Sequence, residues 1–567
     1  MLLIINAANG IVDSLYASNF IGKDALSAIG FYSPLNHFLF AVSIMMVSGS
    51  QLLIGEAMGR NQKDTVNSFF TTDLLLSLGT GLFTSVLLLL AASTDLTRFA
   101  VASAAERSPM NMYIIGQAVG IPALILGQQL FSFLSMENRR RLTMIASLAC
   151  TLVNIIMNTM LVVFLKMGTL GLGLGSSAGL WAFFFTMAQY YFRGRSDIRF
   201  LPSSFNLSNS IMIMKRGYPG ALSRFVEMFR CIFVNMLILR YVGSIGLSAF
   251  AAVNSVMAVF WPVVFGMVAV TRMLLSIAIG EEDRKSVADI MRIAIYRGGL
   301  LQCGISAFII LMAVPITMMF NRNPADPVFQ MTVNGFRLMP LCMPPAIISL
   351  NWACYGQAIQ NRFHSNVLPI IDGFFGVAGC SFLLIPILKM NGLYLSNILN
   401  GLLCCAVILG YAVYRSRRMP KTMEDMLLIP ASFGAPDDAR IDIELHALED
   451  VLNVSQEVEA FCKSRNIPHR KSYFASLSLE EMAGNIIKHG FTADKKKHAM
   501  DIRIVHKDDD IVMRFLDDCK TFNPLERMRT IDEITPYENI GIRLVQGVAS
   551  EVLYQNLLGL NVLTIRV

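Results

Sequence analysis

Asn19-Phe-Ile-Gly-Lys-Asp-Ala-Leu-Ser-Ala-Ile-Gly30 opens a stretch, residues 19–66, that the chain states twice. Moved forward by 221 positions (243 − 22), it aligns without a gap on residues 240–287. Gly22, Leu26, Ser27 and Ala28 fall on Gly243, Leu247, Ser248 and Ala249, and Ala57, Gly59 and Val66 fall on Ala278, Gly280 and Val287. About eleven of the 48 positions are identical. Each copy reads as an apolar helix end, a Gly-x-x-x-Leu-Ser-Ala turn, a long apolar helix and a charged loop. Self-similarity at a fixed offset marks a duplicated architecture. Here it predicts two equivalent membrane lobes.

The composition agrees. Of 567 residues, 54% are hydrophobic and 15% charged, with a mean hydropathy of +0.54. A soluble chain of this length needs far more charge to cover its surface, so the class is a polytopic membrane protein. The net charge of +7 suits basic cytoplasmic loops better than nucleic-acid binding, and no nucleic-acid partner is expected. Ten cysteines are scattered with no C-x-x-C pair, and they read as small buried hydrophobes rather than ligands or disulfides.

A bilayer crossing needs about 20 apolar residues in a helix. Twelve such runs are present: 2–18, 34–55, 71–92, 110–134, 142–165, 169–192, 217–240, 248–279, 291–320, 331–357, 366–388 and 391–414. The expected fold is therefore an all-α polytopic domain of two six-helix lobes, 1–200 and 201–415, embedded in the lipid bilayer. The first run begins at Met1 without a basic stretch before it, so it is not read as a signal peptide, and the start reads as clipped. Basic residues gather in alternate loops (Arg60 and Lys63, Arg139–Arg141, Arg193 to Arg216, Arg284 to Arg297, Arg415 to Arg418), which places those loops, and everything after Tyr414, in the cytoplasm of a cell-membrane protein. Prolines recur within spans, among them Pro122, Pro219, Pro262 and Pro345, where they either bend helices around a cavity or kink them for packing.

Ionisable groups within apolar spans cost about 2.5–3.5 kcal/mol on insertion scales, which makes each a candidate for function. Asp13 shares a helix face with Asn9 and Tyr16 and would exchange a proton or bind Na⁺, unless it simply reaches water at a helix end. Asn154 and Asn158, at i and i+4, either line a cavity with it or bond helices together. Glu227 with Arg230, at i and i+3, is a functional pair or a structural one, and Asp372 is a carboxylate without a local partner.

Ile11-Val-Asp13-Ser-Leu-Tyr, then Phe20-Ile-Gly22 and Ala25-Leu-Ser-Ala-Ile-Gly30, resembles the first-helix signature of the multidrug and toxin extrusion (MATE) family. Ala57-Met-Gly59-Arg-Asn-Gln-Lys-Asp64 resembles that family's loop between its second and third helices, and both have echoes in the second lobe. The resemblance covers residues 1–415. It implies two bundles around a central cavity, alternating access, and export of small amphipathic or cationic compounds in exchange for H⁺ or Na⁺. It also implies that Asp13 is the coupling aspartate and that Asn154 matches a family asparagine. Asn158 stands where many members have aspartate, and Gly175-Ser-Ser-Ala-Gly-Leu180 is a loose version of the family's Gly-Ala-Ala-x-Ala-Thr.

Composition changes at Arg415-Ser-Arg-Arg-Met-Pro420. Residues 416–439 read as a linker, and 440–567 as a soluble α/β sandwich domain. Strands are expected at 441–445, 500–506, 511–517, 551–556 and 561–567, and helices at 447–464, 470–489 and 540–550. Glu481, Asn485 and His489 succeed one another at i, i+4 spacing, which offers a proton acceptor, an amide ligand suited to Mg²⁺ and an imidazole on one helix face. With Asp517-Asp518-Cys-Lys-Thr-Phe522-Asn-Pro524, Gly541-Ile-Arg-Leu-Val545 and Asn561-Val-Leu-Thr564, the stretch resembles the histidine-kinase-like (GHKL) ATPase fold, in its anti-sigma-factor serine kinase branch. That resemblance implies ATP and Mg²⁺ as cofactors, with Glu481 as base, Asn485 on Mg²⁺, Asp517 on the adenine amino group, and Gly541 and Thr564 at the nucleotide. It implies an anti-anti-sigma-type protein with a serine as partner. Two departures stand out: Cys519 replaces a glycine after the Asp pair, and Glu538-Asn539 replace a glycine pair before Ile540-Gly541.

The chain thus reads as a secondary antiporter with a regulatory ATP-binding tail. Without G-x-x-x-x-G-K-[ST], the tail lacks the phosphate loop of an ATP-driven pump. The alternatives are a membrane-bound signalling protein, with a transporter-like receptor half and a serine-kinase-like output domain, and a flippase for lipid-linked saccharides.

Overall fold

The computed structural model describes residues 9–10, 12–94, 97, 104–194, 196–321, 323–430, 433–435, 437–491, 498–507, 509–520, 523, 540–557 and 559–567. Most of the 2–18 run, and with it any test of the clipped start, lies outside these residues. So do Phe522, Pro524 and Glu538-Asn539. The chain divides into two compact units: Met1–Ser135, Arg139–Glu281 and Lys285–Leu428 in one, and Met136–Asn138, Glu282–Arg284 and Ile429–Val567 in the other.

Among the described residues, the regular structure of the first unit is all helical. Its helices are α1 (Lys23–Gly59), α2 (Lys63–Ser93), α3 (Ala104–Ala118), α4 (Ile121–Met136), α5 (Arg140–Asn158), α6 (Gly168–Phe192), α7 (Leu207–Tyr241), α8 (Ser244–Gly280), α9 (Arg284–Leu311), α10 (Ala313–Phe320), α11 (Pro327–Leu338), α12 (Met343–Ala358), α13 (Phe363–Leu388, with π-helical turns) and α14 (Met390–Ser416). Among the described residues eight helices are long and apolar enough to cross a membrane, nine if the 45° bend between α3 and α4 lies within one span. The difference from twelve has local causes. α7 is long but carries Lys215, Arg216, Arg224, Glu227 and Arg230, and the 331–357 run is broken by a 3₁₀ turn, Met339–Cys342, that contains Pro340.

The repeat has a physical basis. Gly22 and Gly243 stand immediately before α1 and α8 with φ of 122° and 89°, a conformation that side chains with a Cβ rarely adopt. At the other ends of these helices the two copies meet. A Cβ on Gly59 would fall 2.3 Å from the Ile277 carbonyl oxygen, and one on Gly280 would fall 2.1 Å from that of Glu56. The offset of 221 exchanges Gly59 with Gly280 and Glu56 with Ile277, so the contact maps onto itself and an approximate two-fold axis passes between the two glycines.

The stretch expected as a linker is partly helical. α15 (Met423–Leu427) is started by a capping box between Thr422 and Asp425, and the Leu427 side chain is fully buried, with its carbonyl accepting from the Tyr355 hydroxyl at 3.0 Å.

The second unit matches its expected element order. β1 (Arg440–Leu445), α16 (Asp450–Ser464), α17 (His469–Asn485), β2 (Met500–Lys507), β3 (Asp510–Asp517), α18 (Ile540–Val548), β4 (Glu551–Leu557) and β5 (Leu560–Arg566) follow in order. The strands form one antiparallel sheet in the order β1-β2-β3-β5-β4. Alternate residues (Ile511, Met513 and Phe515 on β3; Leu563 and Ile565 on β5) face the helices and form the core with Val458, Leu479 and Val545.

Candidate functional sites: a buried carboxylate between helices and a nucleotide-type cleft

Asp13 lies in the helical turn 12–16, before a π-helical turn at Ala17–Ile21, and is 5% exposed. Glycines on α6 let α5 close against it: a Cβ on Gly175 would fall 2.0 Å from Asn158 Oδ1, and one on Gly179 would fall 2.7 Å from the Cys150 carbonyl oxygen. This close approach delivers three donors to one carboxylate. Asn158 Nδ2 donates to Asp13 Oδ1 at 2.8 Å and Asn154 Nδ2 donates to the same oxygen at 3.2 Å. Ser176 Oγ donates to Oδ2 at 2.5 Å. Both asparagines are fully buried.

The structure therefore brings Asp13, Asn154 and Asn158 together and adds Ser176. An aspartate at 158 would add a second negative charge; the asparagine supplies a donor instead, and its Oδ1 is left without a hydrogen bond. The polar stripe is put to other uses: Asn9 donates to Cys150 Sγ (3.4 Å), and the Tyr16 hydroxyl bonds Thr159 Oγ1 (2.6 Å). Ser176 lies within the Gly175–Leu180 motif, but only the helix contact shows that it, and not Ser177, reaches Asp13. Ser177 donates to the Gly116 carbonyl.

In the second lobe Asp372 has partners distant in sequence. Asn400 Nδ2 donates to Oδ1 at 2.7 Å and Ser349 Oγ to Oδ2 at 2.8 Å. Gly376 permits this, since a Cβ there would fall 1.8 Å from Asn400 Oδ1. Glu227 is held between Arg224 (3.0 Å) and Arg230 (3.3 Å), the structural pairing with one more arginine than the sequence suggests. All ten cysteines are free.

In the second unit Glu481 and Gly541 are adjacent: a Cβ on Gly541 would fall 1.9 Å from Glu481 Oε2, so the carboxylate rests against the first turn of α18. A helix start presents unpaired N–H groups, which suit phosphate. Asn485 ends α17, and the chain continues as a π-helical turn, Ile486–Phe491. Its wider winding carries His489 off the line of Glu481 and Asn485, and His489 is exposed. Asp517, at the end of β3 and 5% exposed, accepts on Oδ1 from Asn561 Nδ2 (2.7 Å) and from the Cys519 N–H (3.0 Å). Neither bond uses Oδ2. Cys519 is buried, and Asp518 turns to His498, whose Nδ1 is 2.7 Å from Asp518 Oδ1. Thr564 is three residues past Asn561 on β5, so strand alternation puts it on the sheet face opposite Asp517. On β5 it is Asn561, and not Thr564, that bonds Asp517.

The MatE family model matches residues 2–160 and 219–362, more than half of the chain. The chain belongs to the MatE family. A second model, the histidine kinase-like ATPase domain, matches residues 445–567. The MatE half is similar to the probable multidrug resistance protein NorM of Neisseria meningitidis serogroup A, 22% identical over 329 residues that cover 56% of this chain and 70% of that protein. NorM of Chromobacterium violaceum is 22% identical over 336 residues, covering 57% and 70%. Among solved structures, a MATE in complex with MaL6 aligns with a TM-score of 0.66 at 19% identity, over 73% of this chain and 92% of that one. A MOP superfamily transporter from Pyrococcus furiosus aligns over the same shares, with a TM-score of 0.66 at 18% identity. At these identities the likeness establishes the fold. The chain is thus a polytopic membrane protein of a multidrug transporter family with a histidine-kinase-like ATPase domain at its C-terminal end.

Proposed function

We propose that this MatE chain is a secondary antiporter that exports small amphipathic or cationic compounds in exchange for H⁺ or Na⁺, with coupling at Asp13. The observation that carries the reading is the Asp13 cluster: a buried carboxylate with three donors from α5 and α6 and, among the described residues, no cationic partner. Such a group can take up a cation and release it when the helices around it shift. Asp372, held by Ser349 and Asn400, is the second-lobe candidate for the same work. Glu227, already paired with two arginines, contributes charge balance.

The tail, on this reading, is a cytoplasmic regulatory domain that binds Mg-ATP. Asp517 Oδ2 receives the adenine amino group, Asn485 holds Mg²⁺, Glu481 is the base, and the start of α18 at Gly541 faces the phosphates. Its protein partner is one that offers a serine, of the anti-anti-sigma type. The test uses purified full-length protein in proteoliposomes. Gradient-driven efflux of ethidium should be lost in Asp13→Asn, and comparing H⁺ with Na⁺ gradients identifies the coupling ion. Undiminished efflux by Asp13→Asn would remove its coupling role. Mg-ATP binding should be lost in Asn485→Ala and Asp517→Asn.

A further inference from the structure

Asp73 is fully buried on α2, ten residues past Lys63 and so about 15 Å along the helix. Neither of its carboxylate oxygens has a hydrogen bond of good geometry, and among the described residues only the Ser50 hydroxyl lies close enough to act on it. The neighbouring Ser50 hydroxyl, on α1, donates instead to the Met46 carbonyl at 2.9 Å. No titratable or charged side chain among the described residues acts on Asp73 from the helices packed on α2. An ionised carboxylate left unpaired in such an interior is very costly.

The facing helix supplies more unused oxygens. Phe70 meets Phe133 with ring centroids 5.0 Å apart, and a Cβ on Gly81 would meet Pro122 Cα at 2.8 Å, so α2 and α4 run antiparallel with Asp73 level with Leu130. Gln129 lies on the α4 face that carries Phe133, at i−4, and Ser132 is its i+3 neighbour toward the side of that face. Gln129 is fully buried with neither amide atom bonded, and Ser132 Oγ is likewise without a partner. The second lobe shows that packing does not require this polarity. Ser77 Oγ touches Met46 Sδ at 3.8 Å, and the repeat-related Gly298 meets Met267, 221 positions on in each case. By the same offset Asp73 corresponds to Ala294, which is also buried. The same helix contact is built with an alanine in one lobe and a carboxylate in the other.

We propose that Asp73, with the oxygens of Gln129 and Ser50, is a second cation site of the first lobe that takes a proton or Na⁺. A carboxylate, an amide carbonyl and a hydroxyl form a hard-oxygen donor set suited to either ion. It shares no ligand with the Asp13 cluster, which α5 and α6 supply.

The test measures binding, not flux, so it stands apart from the antiport reading. Full-length Asp13→Asn protein in detergent is compared with the same protein carrying Asp73→Ala, the residue that the second lobe has at this position. If the ion is a proton, the infrared difference spectrum of a pH jump contains a protonated-carboxyl carbonyl band that Asp73→Ala removes. If the ion is Na⁺, bound ²²Na falls by one equivalent per chain in Asp73→Ala. Gln129→Leu, which keeps the carboxylate, should shift that band or weaken ²²Na binding several-fold. Thermal unfolding confirms that each variant is folded. Infrared spectra and ²²Na binding both unchanged by Asp73→Ala would overturn the proposal.

Discussion

Gly175→Ala tests the Asp13 cluster without touching any of its polar atoms. A methyl group at 175 would sit 2.0 Å from Asn158 Oδ1, well inside contact distance, and Asn158 is fully buried between helices. The amide must rotate, and rotation removes the Nδ2 bond to Asp13 Oδ1, now 2.8 Å. A hydrogen bond to a charged group is worth about 1.5–3 kcal/mol. That bond stabilises the cation-free, charged carboxylate, so its loss should lower the half-saturating concentration of the coupling cation, by about 10- to 150-fold at about 1.4 kcal/mol per tenfold. Ion-driven ethidium efflux in proteoliposomes reads this directly, as a shift in cation dependence with the maximal rate retained at saturating cation. Gly79→Ala is the control, because nothing lies within 4 Å of a Cβ there. Asn158→Ala should produce a similar shift, and the double variant little more than either, since both changes remove one bond. If Gly175→Ala keeps the wild-type cation dependence while Asn158→Ala loses it, the reasoning from the glycine contact is refuted. If both keep it, Asn158 does not support the ion site at all.

Gly59→Ala and Gly280→Ala should each destabilise the protein by about 1–3 kcal/mol through overpacking, because each methyl group meets a carbonyl oxygen on the other lobe at 2.3 or 2.1 Å. Similar losses of thermal stability from the two variants would support the two-fold relation between them. Gly541→Ala should drive the Glu481 carboxylate from its place against α18, where 1.9 Å separates it from the new methyl group, and so reduce Mg-ATP binding by the full-length protein while the tail stays folded by circular dichroism. Asn561→Ala removes a donor from Asp517 Oδ1 and should weaken nucleotide binding about 5- to 10-fold, for a bond worth about 1–1.5 kcal/mol, whereas Thr564→Val on the other sheet face should leave it unchanged. The Asp425 carboxyl is held below its usual range by the Lys421 N–H, by Thr422 and by Arg418. The α15 cap therefore contributes above the ordinary carboxylate pKa of about 4 and is lost as pH falls through the lower folded value, so Asp425→Asn should flatten the acid limb of a thermal-stability profile.

The elements that could be read from sequence are those governed by short-range periodicity. The tail's strands and helices came out within a few residues because apolar and polar positions alternate along β3 and repeat with helical spacing along α16 and α17. Asp13, Asn154 and Asn158 were visible because polar side chains are conspicuous in apolar helices. Their partners were not. Ser176 and Ser177 are neighbours with the same side chain, and only the packing of α6 sends one to Asp13 and the other to Gly116. Ser349 and Asn400 reach Asp372 from 23 and 28 positions away, a pairing that no local spacing encodes. Thr564 and Asn561 differ by three positions on a strand, and that odd separation decides which side of the sheet each faces. The helix within 416–439 was missed because its five residues are too short for a periodic signal, although the Thr422-x-x-Asp425 cap was present in the sequence.

The two lobes share a scaffold but not an electrostatic design. Gly22 and Gly243 start corresponding helices, Gly59 and Gly280 join them, and the Met46 contact recurs at Met267. On this common frame the first lobe has the Asp13 cluster and a buried Asp73, while the second has Asp372 and, opposite Asp73, Ala294. A duplicated frame with equal carboxylates would leave the two halves equivalent toward an ion. With unequal ones, uptake of a cation acts on one bundle more than on its counterpart. A differential effect of this kind is what any ligand needs to shift a conformational equilibrium. The asymmetry therefore belongs with the coupling role proposed for Asp13: the repeat supplies two bodies that move against each other, and the carboxylates that break the repeat give the ion a preference between their arrangements.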